Sequence, residues 1–320
     1  MRDGVALQKA RLLYRVAQAY YEQNLTQAEI AQRFGISRIK VSRMLTRARD
    51  EGVVRISVVA PPGGATQLEH ALESAFGLDE AIVADPTGHE YQDVVEAIGR
   101  AAAEYLNRVL EDGHTLGLTW GNTVLATVTA LDYANLPECR VVQLLGGLGN
   151  IEAEVHGAEL VRRAAERLGG KARNIHAPGI VASRSVRDAL IADSGVRDTL
   201  ELGKRSDIAL LGIGAFGPHS VLRGHGSVLS GDDCRTLQEL GVVGDIALRF
   251  YDADGLPVVN PYTDRTIGID LPDLKHIPRR VGIAGGREKE PALRAALTGR
   301  WVNVLVTDLR TATALLEQEG

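Results

Sequence analysis

Thr26 to Leu45 read TQAEIAQRFGISRIKVSRML, and this stretch decides the fold of the N-terminal part of the chain. Thr26 and Glu29 have the spacing of a capping box, which fixes the first residue of a helix. Gly35 follows where a turn between two helices needs a permissive backbone. Ser37 is then suited to cap the next helix. The order of cap, helix, glycine turn and second cap predicts a helix-turn-helix.

The apolar residues of this stretch support the same interpretation. Val41 and Leu45 lie four residues apart on one face of the second helix. We expect them to pack against Ile30 and Phe34 of the first helix. Upstream, residues 8–23 carry apolar side chains at helical spacing, which predicts a further helix in front of the motif.

The second helix, expected over 37–50, presents a polar and basic face opposite its apolar one. The N-terminal residues of a recognition helix enter the major groove, so Arg38 and Ser42 are placed to meet base edges. Basic residues further along such a helix more often contact phosphates. We therefore predict double-stranded operator DNA as a partner, with contacts from Thr26, Ser37, Arg38, Lys40, Ser42, Arg43 and Arg47.

The formal net charge of −5 conceals two parts of opposite sign. Residues 1–58 hold 11 Lys and Arg against 5 Asp and Glu, whereas the remainder holds 25 against 36. A basic N-terminal part on an acidic body indicates a local polyanion-binding module. One alternative is an ordinary helical hairpin with a solvated basic face. A sigma-factor-like or recombinase helix-turn-helix is another, which the long remainder of the chain disfavours.

The composition is otherwise that of a globular protein with an aliphatic core, since 45% of residues are hydrophobic and only 4% aromatic. Cys139 and Cys234 belong to no CxxC or Cys/His cluster, so we expect two reduced, buried thiols and a cytoplasmic location. No apolar run approaches the roughly 18 residues of a membrane span, so we predict no membrane association. We predict neither a metal site nor a cofactor.

The segment PPGG at 61–64 is the clearest linker in the chain. We therefore predict a helix-turn-helix domain over 1–58, a linker over 59–66 and an effector domain over 67–320. The end of the first domain reads VVRISV at 53–58, which predicts a β-type wing or a small sheet element beside the helices.

Helices and short apolar strands alternate along the expected effector domain. Strands are predicted at 81–84, 115–118, 140–144, 208–213, 280–284 and 302–307. Helical spacing is found at 67–76, 94–110, 123–131, 158–168 and 292–297. Such alternation is typical of a mostly parallel sheet covered by helices. The expected fold class is therefore α/β, with a doubly wound effector domain behind the helix-turn-helix domain.

Four glycine-bearing segments follow the expected strands, at 117–123, 143–147, 212–214 and 282–289. Open α/β sheets bind ligands outside the carboxyl ends of their strands. Glycines let backbone N–H groups approach a ligand, a helix N-terminus favours an anion, and Lys289 adds a cation. Each loop alone is equally explained as a tight turn, but four in one domain favour a small anionic ligand.

Six segments carry a resemblance to a known family. They are ISRIKVSRMLTRARDEGVV (36–54), GLTWGNT (117–123), VVQLLGG (141–147), GVVGDIALRFYDADG (241–255), IPRRVGIAGGREKEPALRAAL (277–297) and NVLVTDLRTATALL (303–316). Through them, nearly the whole chain resembles the SorC family of sugar-responsive regulators, also called SorC/DeoR-type. The resemblance implies that the effector domain has a fold like those of sugar-phosphate isomerases and CoA transferases and serves as a sensor. It also implies a homo-oligomer, a tetramer or a dimer.

The same resemblance implies roles for individual residues. Asn122 and Thr123 match phosphate-contacting positions, Asp245 matches an acidic position that accepts hydrogen bonds from sugar hydroxyls, and Lys289 matches a ligand-contacting lysine. His156 is a weaker match, and Arg223 and His225 lie in a loop that would cover the site. With the loop glycines, the candidate effector contacts are Gly121, Asn122, Thr123, Gly146, Gly147, His156, Asp245, Gly285, Gly286 and Lys289.

Leu145 departs from the pattern of those family members that carry a lysine or arginine just before the second loop's Gly-Gly pair. A lysine there would form a Schiff base with an aldehyde sugar, so we predict no covalent capture. The effector is therefore expected to be a sugar, a polyol or a sugar phosphate. Without a cation at position 145, a bisphosphate is disfavoured.

These features together predict a DNA-binding regulator of carbohydrate metabolism rather than an enzyme. An active sugar-phosphate isomerase-like enzyme with a fused DNA-binding head is the alternative, in which Asp245 and Lys289 would act as acid and base. A constitutive architectural DNA binder with an inert body is a third possibility.

Overall fold

The computed structural model describes residues 2–56, 65–88, 90–147, 157–215, 222 and 229–317, with side chains from Gln8 onward. The chain divides into two compact units, Met1–Pro61 and Pro62–Gly320. Each unit has its own hydrophobic core, and each is described separately below.

The first unit is a bundle of three helices, α1 (Arg2–Tyr21), α2 (Gln27–Phe34) and α3 (Arg38–Asp50). The three predicted helices are thereby confirmed. The predicted packing is confirmed as well, because Val41 and Leu45 are buried with Ile30, and Phe34 packs against the same cluster. Val16 and Ala19 complete this cluster from α1.

The prediction of a strand after α3 is wrong for the residues that the structure describes. Val53 to Ile56 are irregular, and positions 57 and 58 lie outside the described residues. Described residues of this unit offer no second strand for pairing, and the Val54 N–H donates instead to the Ala48 carbonyl at 2.9 Å. The Val54 side chain packs on a small cluster of Leu13, Ala17 and Ala48, so its apolar character serves the helical core.

The second unit is built on a seven-stranded sheet in which every strand pairing is parallel. Its spatial order is β1-β9-β8-β5-β2-β3-β4. A separate antiparallel hairpin consists of β6 and β7. The strands are β1 (Glu80–Ala84), β2 (Thr115–Leu118), β3 (Arg140–Gln143), β4 (Lys171–Arg173), β5 (Ile208–Gly212), β6 (Gly244–Ile246), β7 (Arg249–Tyr251), β8 (Arg279–Ile283) and β9 (Val304–Asp308).

Helices cover both faces of this sheet, as the predicted doubly wound α/β class requires. Alternate residues of each strand enter opposite cores. In β5, Ile208 and Leu210 pack with one core, and Ala209 and Leu211 with the other. The helices are α4 (Ala65–Phe76), α5 (Tyr91–Val109), α6 (Asn122–Ala130), α7 (Gly157–Leu168), α8 (Arg184–Ala192), α9 (Ser194–Lys204), α10 (Gly231–Glu239), α11 (Leu271–Leu274), α12 (Glu290–Thr298) and α13 (Leu309–Glu317).

The strand order reverses between β2 and β5. From β2 the chain moves outward to β3 and β4, whereas from β5 it moves the opposite way to β8 and β9. The connections leaving the carboxyl ends of β2 and β5 therefore diverge to opposite sides. Such a reversal leaves a crevice outside the carboxyl ends of the two strands, which is where open α/β sheets bind ligands.

Candidate functional site

In the helix-turn-helix, each helix begins at a local cap, Thr26 for α2 and Ser37 for α3. Thr26 Oγ1 accepts a 3.3 Å hydrogen bond from the Glu29 N–H, and Glu29 Oε2 accepts one of 2.8 Å from the Thr26 N–H. This reciprocal pair is the predicted capping box. Ser37 Oγ likewise accepts from the Lys40 N–H at 3.2 Å and begins α3. Between them, Gly35 has a φ of 63°, a left-handed conformation that ends α2.

The outward face of α3 carries the residues predicted to meet DNA. Arg38, Lys40, Ser42, Arg43 and Arg47 are all exposed, and so are the caps Thr26 and Ser37. Arg47 Nε bonds Glu51 Oε1 at 2.6 Å, so this cation is already paired within its own helix end. No ion pair is found for Arg38, Lys40 or Arg43 among the described residues, which leaves three cations on this face to meet phosphates or base edges.

In the second unit, a cleft lies outside the carboxyl ends of β2 and β5, at the reversal of strand order. Five predicted effector contacts meet there, namely Gly121, Asn122, Thr123, Asp245 and Lys289. The other lining residues are Tyr91, Thr119, Trp120, Gly212, Ile213, Gly214, Leu222 and Ala247.

One wall of the cleft is the loop that joins β2 to α6. Thr119 Oγ1 accepts a 2.9 Å hydrogen bond from the Gly212 N–H, which ties the ends of β2 and β5 together. Gly121 has a φ of 130° and a ψ of 164°, a conformation almost confined to glycine. No side chain caps α6 at this glycine, so the helix begins uncapped at residues that line the cleft, Asn122 and Thr123. Such a helix start attracts an anion or a hydroxyl oxygen.

Asp245 forms part of the opposite wall. It is only 6% exposed, and its Oδ2 accepts a 3.1 Å hydrogen bond from the Leu248 N–H. Burial raises the pKa of Asp245 to about 6, against the lowering influence of that N–H and of Lys289. Its backbone exchanges hydrogen bonds with Gly214, which follows β5, at 2.9 and 3.1 Å. A carboxylate held in this way is available to accept hydrogen bonds from ligand hydroxyls.

Lys289 lies at the end of a 3₁₀ turn before α12 and supplies the cation of the cleft. Its Nζ donates a 2.8 Å hydrogen bond to the Ile213 carbonyl oxygen. Burial lowers the pKa of Lys289, while Asp245 and Glu288 act in the opposite direction. An ammonium group has three donors, so two remain for a ligand after the bond to Ile213.

Aromatic side chains complete the cleft, and the sequence interpretation missed their role. The Tyr91 hydroxyl at the start of α5 hydrogen-bonds the Asn122 side chain, and burial raises the pKa of Tyr91. Trp120 Nε1 is buried and has no hydrogen-bond partner among the described residues. Trp120 was visible within GLTWGNT directly before the predicted contact Gly121, whereas nothing in the sequence around Tyr91 indicated a site.

Four predicted glycines do not line this cleft, and the N–H groups of three of them bond protein oxygens instead. The N–H groups of Gly146 and Gly147 donate to the carbonyls of Ile267 and Ala177, each at 2.9 Å. A Cβ at Gly146 would lie 2.7 Å from the Ala177 oxygen. The Gly286 N–H donates to Asp308 Oδ2 at 2.9 Å, and a Cβ at Gly285 would lie 2.3 Å from the same oxygen. The amides of Gly146, Gly147 and Gly286 therefore serve the fold.

Several other sequence predictions can be placed. His156, Arg223 and His225 lie outside the described residues. Cys139 and Cys234 form no disulfide and are buried, as predicted. Within the described ranges, no group of three or more His, Cys, Asp or Glu side chains is arranged to hold a metal ion, and no helix has the length and apolar character needed to cross a membrane.

Comparisons with known proteins give a family match for each of the two units. Residues 60–317 match the family described as "Putative sugar-binding domain", and residues 15–51 match "Sigma-70, region 4". The deoxyribonucleoside regulator of Bacillus subtilis (strain 168) is 32% identical over 309 residues, covering 97% of this chain and 98% of its own. The sorbitol operon regulator of Klebsiella pneumoniae is also 32% identical over 309 residues, with coverages of 96% and 98%.

The fold has been seen in a complete relative as well. The crystal structure of the full-length sorbitol operon regulator SorC from Klebsiella pneumoniae superimposes with a TM-score of 0.75 at 32% identity. The match covers 96% of this chain and 98% of that one. The chain therefore belongs to the SorC family, whose members are transcriptional regulators that join a helix-turn-helix to a sugar-binding domain.

Proposed function

We propose that this regulator binds operator DNA through α3 and that a small sugar, polyol or sugar phosphate in the cleft controls this binding. The observation that carries the effector assignment is the convergence of Asp245, Lys289 and the uncapped start of α6 on one cleft at the reversal of strand order. The DNA assignment is supported by the exposed cations Arg38, Lys40 and Arg43.

The chemistry of the cleft suits a hydroxyl-rich ligand. Asp245 is an acceptor, whereas Lys289, Trp120 Nε1 and the backbone N–H groups at the start of α6 are donors. A sugar or polyol hydroxyl both donates and accepts, so it satisfies both kinds of group. Any phosphate would be held by Lys289 and the α6 start, because the described lining of the cleft holds no second lysine or arginine.

The control mechanism we propose is linkage. An effector that binds one arrangement of the protein more tightly than another shifts the population towards it and so changes operator affinity. We propose that the regulator works in the cytoplasm as a homo-oligomer, a tetramer or a dimer, as the family resemblance implies. Relatives named for sorbitol, for deoxyribonucleosides and for erythritol catabolism indicate which ligands to test first.

The test combines a ligand screen with a DNA-binding assay. Sorbitol, erythritol, deoxyribose and their phosphates are added singly to the purified chain, and thermal unfolding is monitored, because a ligand of the folded state raises the apparent stability. We expect one of these ligands to raise the melting temperature and to change operator affinity in a gel shift. Stabilisation without any change in DNA binding would contradict the proposed control. Conversion of the ligand to a product, followed by NMR, would favour the isomerase alternative.

A further inference from the structure

Ile39 is an exposed aliphatic residue in the first turn of α3. Its side chain is 69% exposed, whereas Val41 and Leu45 of the same helix are 0% and 4% exposed. Ile39 therefore adds nothing to the core that holds the three helices together. An isolated exposed aliphatic residue is common on protein surfaces, so its position on the helix has to decide whether it has a role.

The position of Ile39 is on the face that is turned away from the core. At 100° per residue, Ile39 lies beside Ser42 and Arg43 and opposite Val41 and Leu45. All three outward residues are exposed. Ile39 is also in the N-terminal turn, the part of a recognition helix that reaches deepest towards base edges.

The neighbours of Ile39 in the sequence are both cations. Arg38 and Lys40 flank it and are exposed, and neither has an ion-pair partner within the described part of the unit. Lys40 fits a phosphate at the rim of a groove and Arg38 is placed to meet a base edge, so both would bring the side chain between them against the base edges. The apolar group is thus at the centre of a surface whose rim is complementary to DNA.

We infer that Ile39 reads thymine through van der Waals contact with its C5 methyl group, an inference that rests on the proposed DNA binding. The methyl group of thymine is the apolar feature that distinguishes the major-groove edges of the four DNA bases. Contact with Ile39 removes apolar surface of both groups from water, and no polar group on either side has to be desolvated. Ile39 is therefore a specificity-determining residue, distinct from the cations that provide affinity.

The first experiment selects binding sites from a random DNA library with the full chain and with Ile39→Ala. We expect the unmodified chain to select thymine at one position in each half-site and the variant to lose that preference while keeping the others. Ile56→Ala is the matched control, because Ile56 is the same residue type in the same unit and is 61% exposed. The control should select the same sequence as the unmodified chain. An unchanged thymine preference in Ile39→Ala would overturn the inference.

The second experiment needs no protein variant. Uracil replaces the selected thymine, which removes only the methyl group, and binding is measured by titration. We expect affinity to fall by about fourfold for each half-site, as burial of one methyl-sized group predicts. Ile39→Ala should bind both DNAs alike. Equal binding of the two DNAs by the unmodified chain would contradict the inference, whereas failure to enrich any sequence would contradict the proposed DNA binding itself.

Discussion

Asp245 Oδ2 accepts a 3.1 Å hydrogen bond from the Leu248 N–H, and this bond spans the turn between β6 and β7. The two turn residues, Ala247 and Leu248, have φ values of 54° and 59°, a region that residues other than glycine rarely adopt. Two-residue hairpin turns favour such angles, but usually with Asn or Gly. The carboxylate that lines the cleft therefore also bonds a strained turn, so the proposed effector contact and the hairpin conformation depend on one group.

Asp245 should make the stability of the protein depend on pH. Burial raises its pKa from 3.8 to about 6, so the folded state holds this proton more tightly than the unfolded chain does. The resulting stabilisation is fully present below about pH 4 and is lost as the pH rises through 6. We expect Asp245→Asn to remove this contribution. Urea unfolding should show that the unmodified chain loses about 2 kcal/mol more than the variant between pH 4 and 7.

Asp254→Asn is the control for this measurement, because Asp254 is exposed and follows β7 in the same unit. The unfolding free energy of Asp254→Asn should depend on pH as that of the unmodified chain does. Because each variant is compared with the unmodified chain, the contributions of all other carboxylates cancel. If the unfolding free energies of Asp245→Asn and of the unmodified chain changed with pH in the same way, the pKa of Asp245 would not be raised by folding.

Lys289 should be needed for effector binding but not for DNA binding. Lys289→Met keeps the length of the side chain and removes the charge that donates to Ile213. Hydrogen bonds to charged groups contribute about 1.5–3 kcal/mol, so the effector should bind roughly ten- to a hundredfold more weakly. Isothermal titration calorimetry measures this change, and a gel shift without effector should show unaltered operator affinity.

Lys275→Met provides the matched control for that experiment. The Lys275 ammonium lies 4.1 Å from the centre of the Trp301 ring, and neither residue lines the cleft. Loss of this cation–π contact should lower stability slightly and leave effector affinity unchanged. If Lys275→Met weakened effector binding as much as Lys289→Met, the effect of Lys289 would be a general one on the unit.

Gly121 should be needed for its backbone conformation. A Cβ added there would meet no atom within 4 Å, so the cost of Gly121→Ala comes from its φ of 130° and amounts to about 1–3 kcal/mol. Relief of this strain would displace Asn122 and Thr123 and weaken effector binding. Gly113 also has a positive φ, 88°, and open space, but it does not line the cleft. Both variants should unfold more easily, and calorimetry should find weaker effector binding in Gly121→Ala alone.

The helix-turn-helix could be predicted residue by residue because its determinants are local. The caps at Thr26 and Ser37 act on backbone groups within three residues, and the φ of Gly35 is a property of one position. The strands of the main sheet were also predictable, because apolar runs such as 208–213 mark buried parallel strands. By contrast, β4 (Lys171–Arg173) has no apolar run that would indicate a strand, and it was missed.

The cleft could be predicted only in part, because its position depends on the order of strands in space. The sequence showed glycines after four strands, yet only the loops that leave β2 and β5 flank the reversal of order. A Cβ at Gly146 would collide with the backbone of Ala177 and Pro178, and one at Gly285 with the Asp308 side chain, and no local pattern distinguishes such crowding from ligand contact. The β6–β7 hairpin was equally hidden, because Ala247 and Leu248 are not typical turn residues.

Arg38 and Arg43 should be needed for operator binding but not for effector binding. Both are exposed on α3, and no ion pair is found for either among the described residues. We expect the double variant Arg38→Ala/Arg43→Ala to bind its operator much more weakly at moderate salt. Each cation that meets a phosphate contributes about 0.9 to the slope of log affinity against log salt, so the slope should fall by up to about 1.8. Stabilisation of the variant by the effector should be unchanged.

Arg47 offers an internal comparison for this experiment, because its charge is already paired with Glu51 at 2.6 Å. Binding a phosphate would require Arg47 to give up or share that partner, so Arg47→Ala should weaken operator binding less than Arg43→Ala does. Glu51→Gln removes the carboxylate that pairs with Arg47 and should tighten operator binding. Added salt should reduce this gain, because it screens exposed charges. Equal losses for Arg43→Ala and Arg47→Ala, with no effect of Glu51→Gln, would show that the pair opens on DNA without cost. Operator affinity unaffected by the double arginine variant would place the DNA contact elsewhere than on α3.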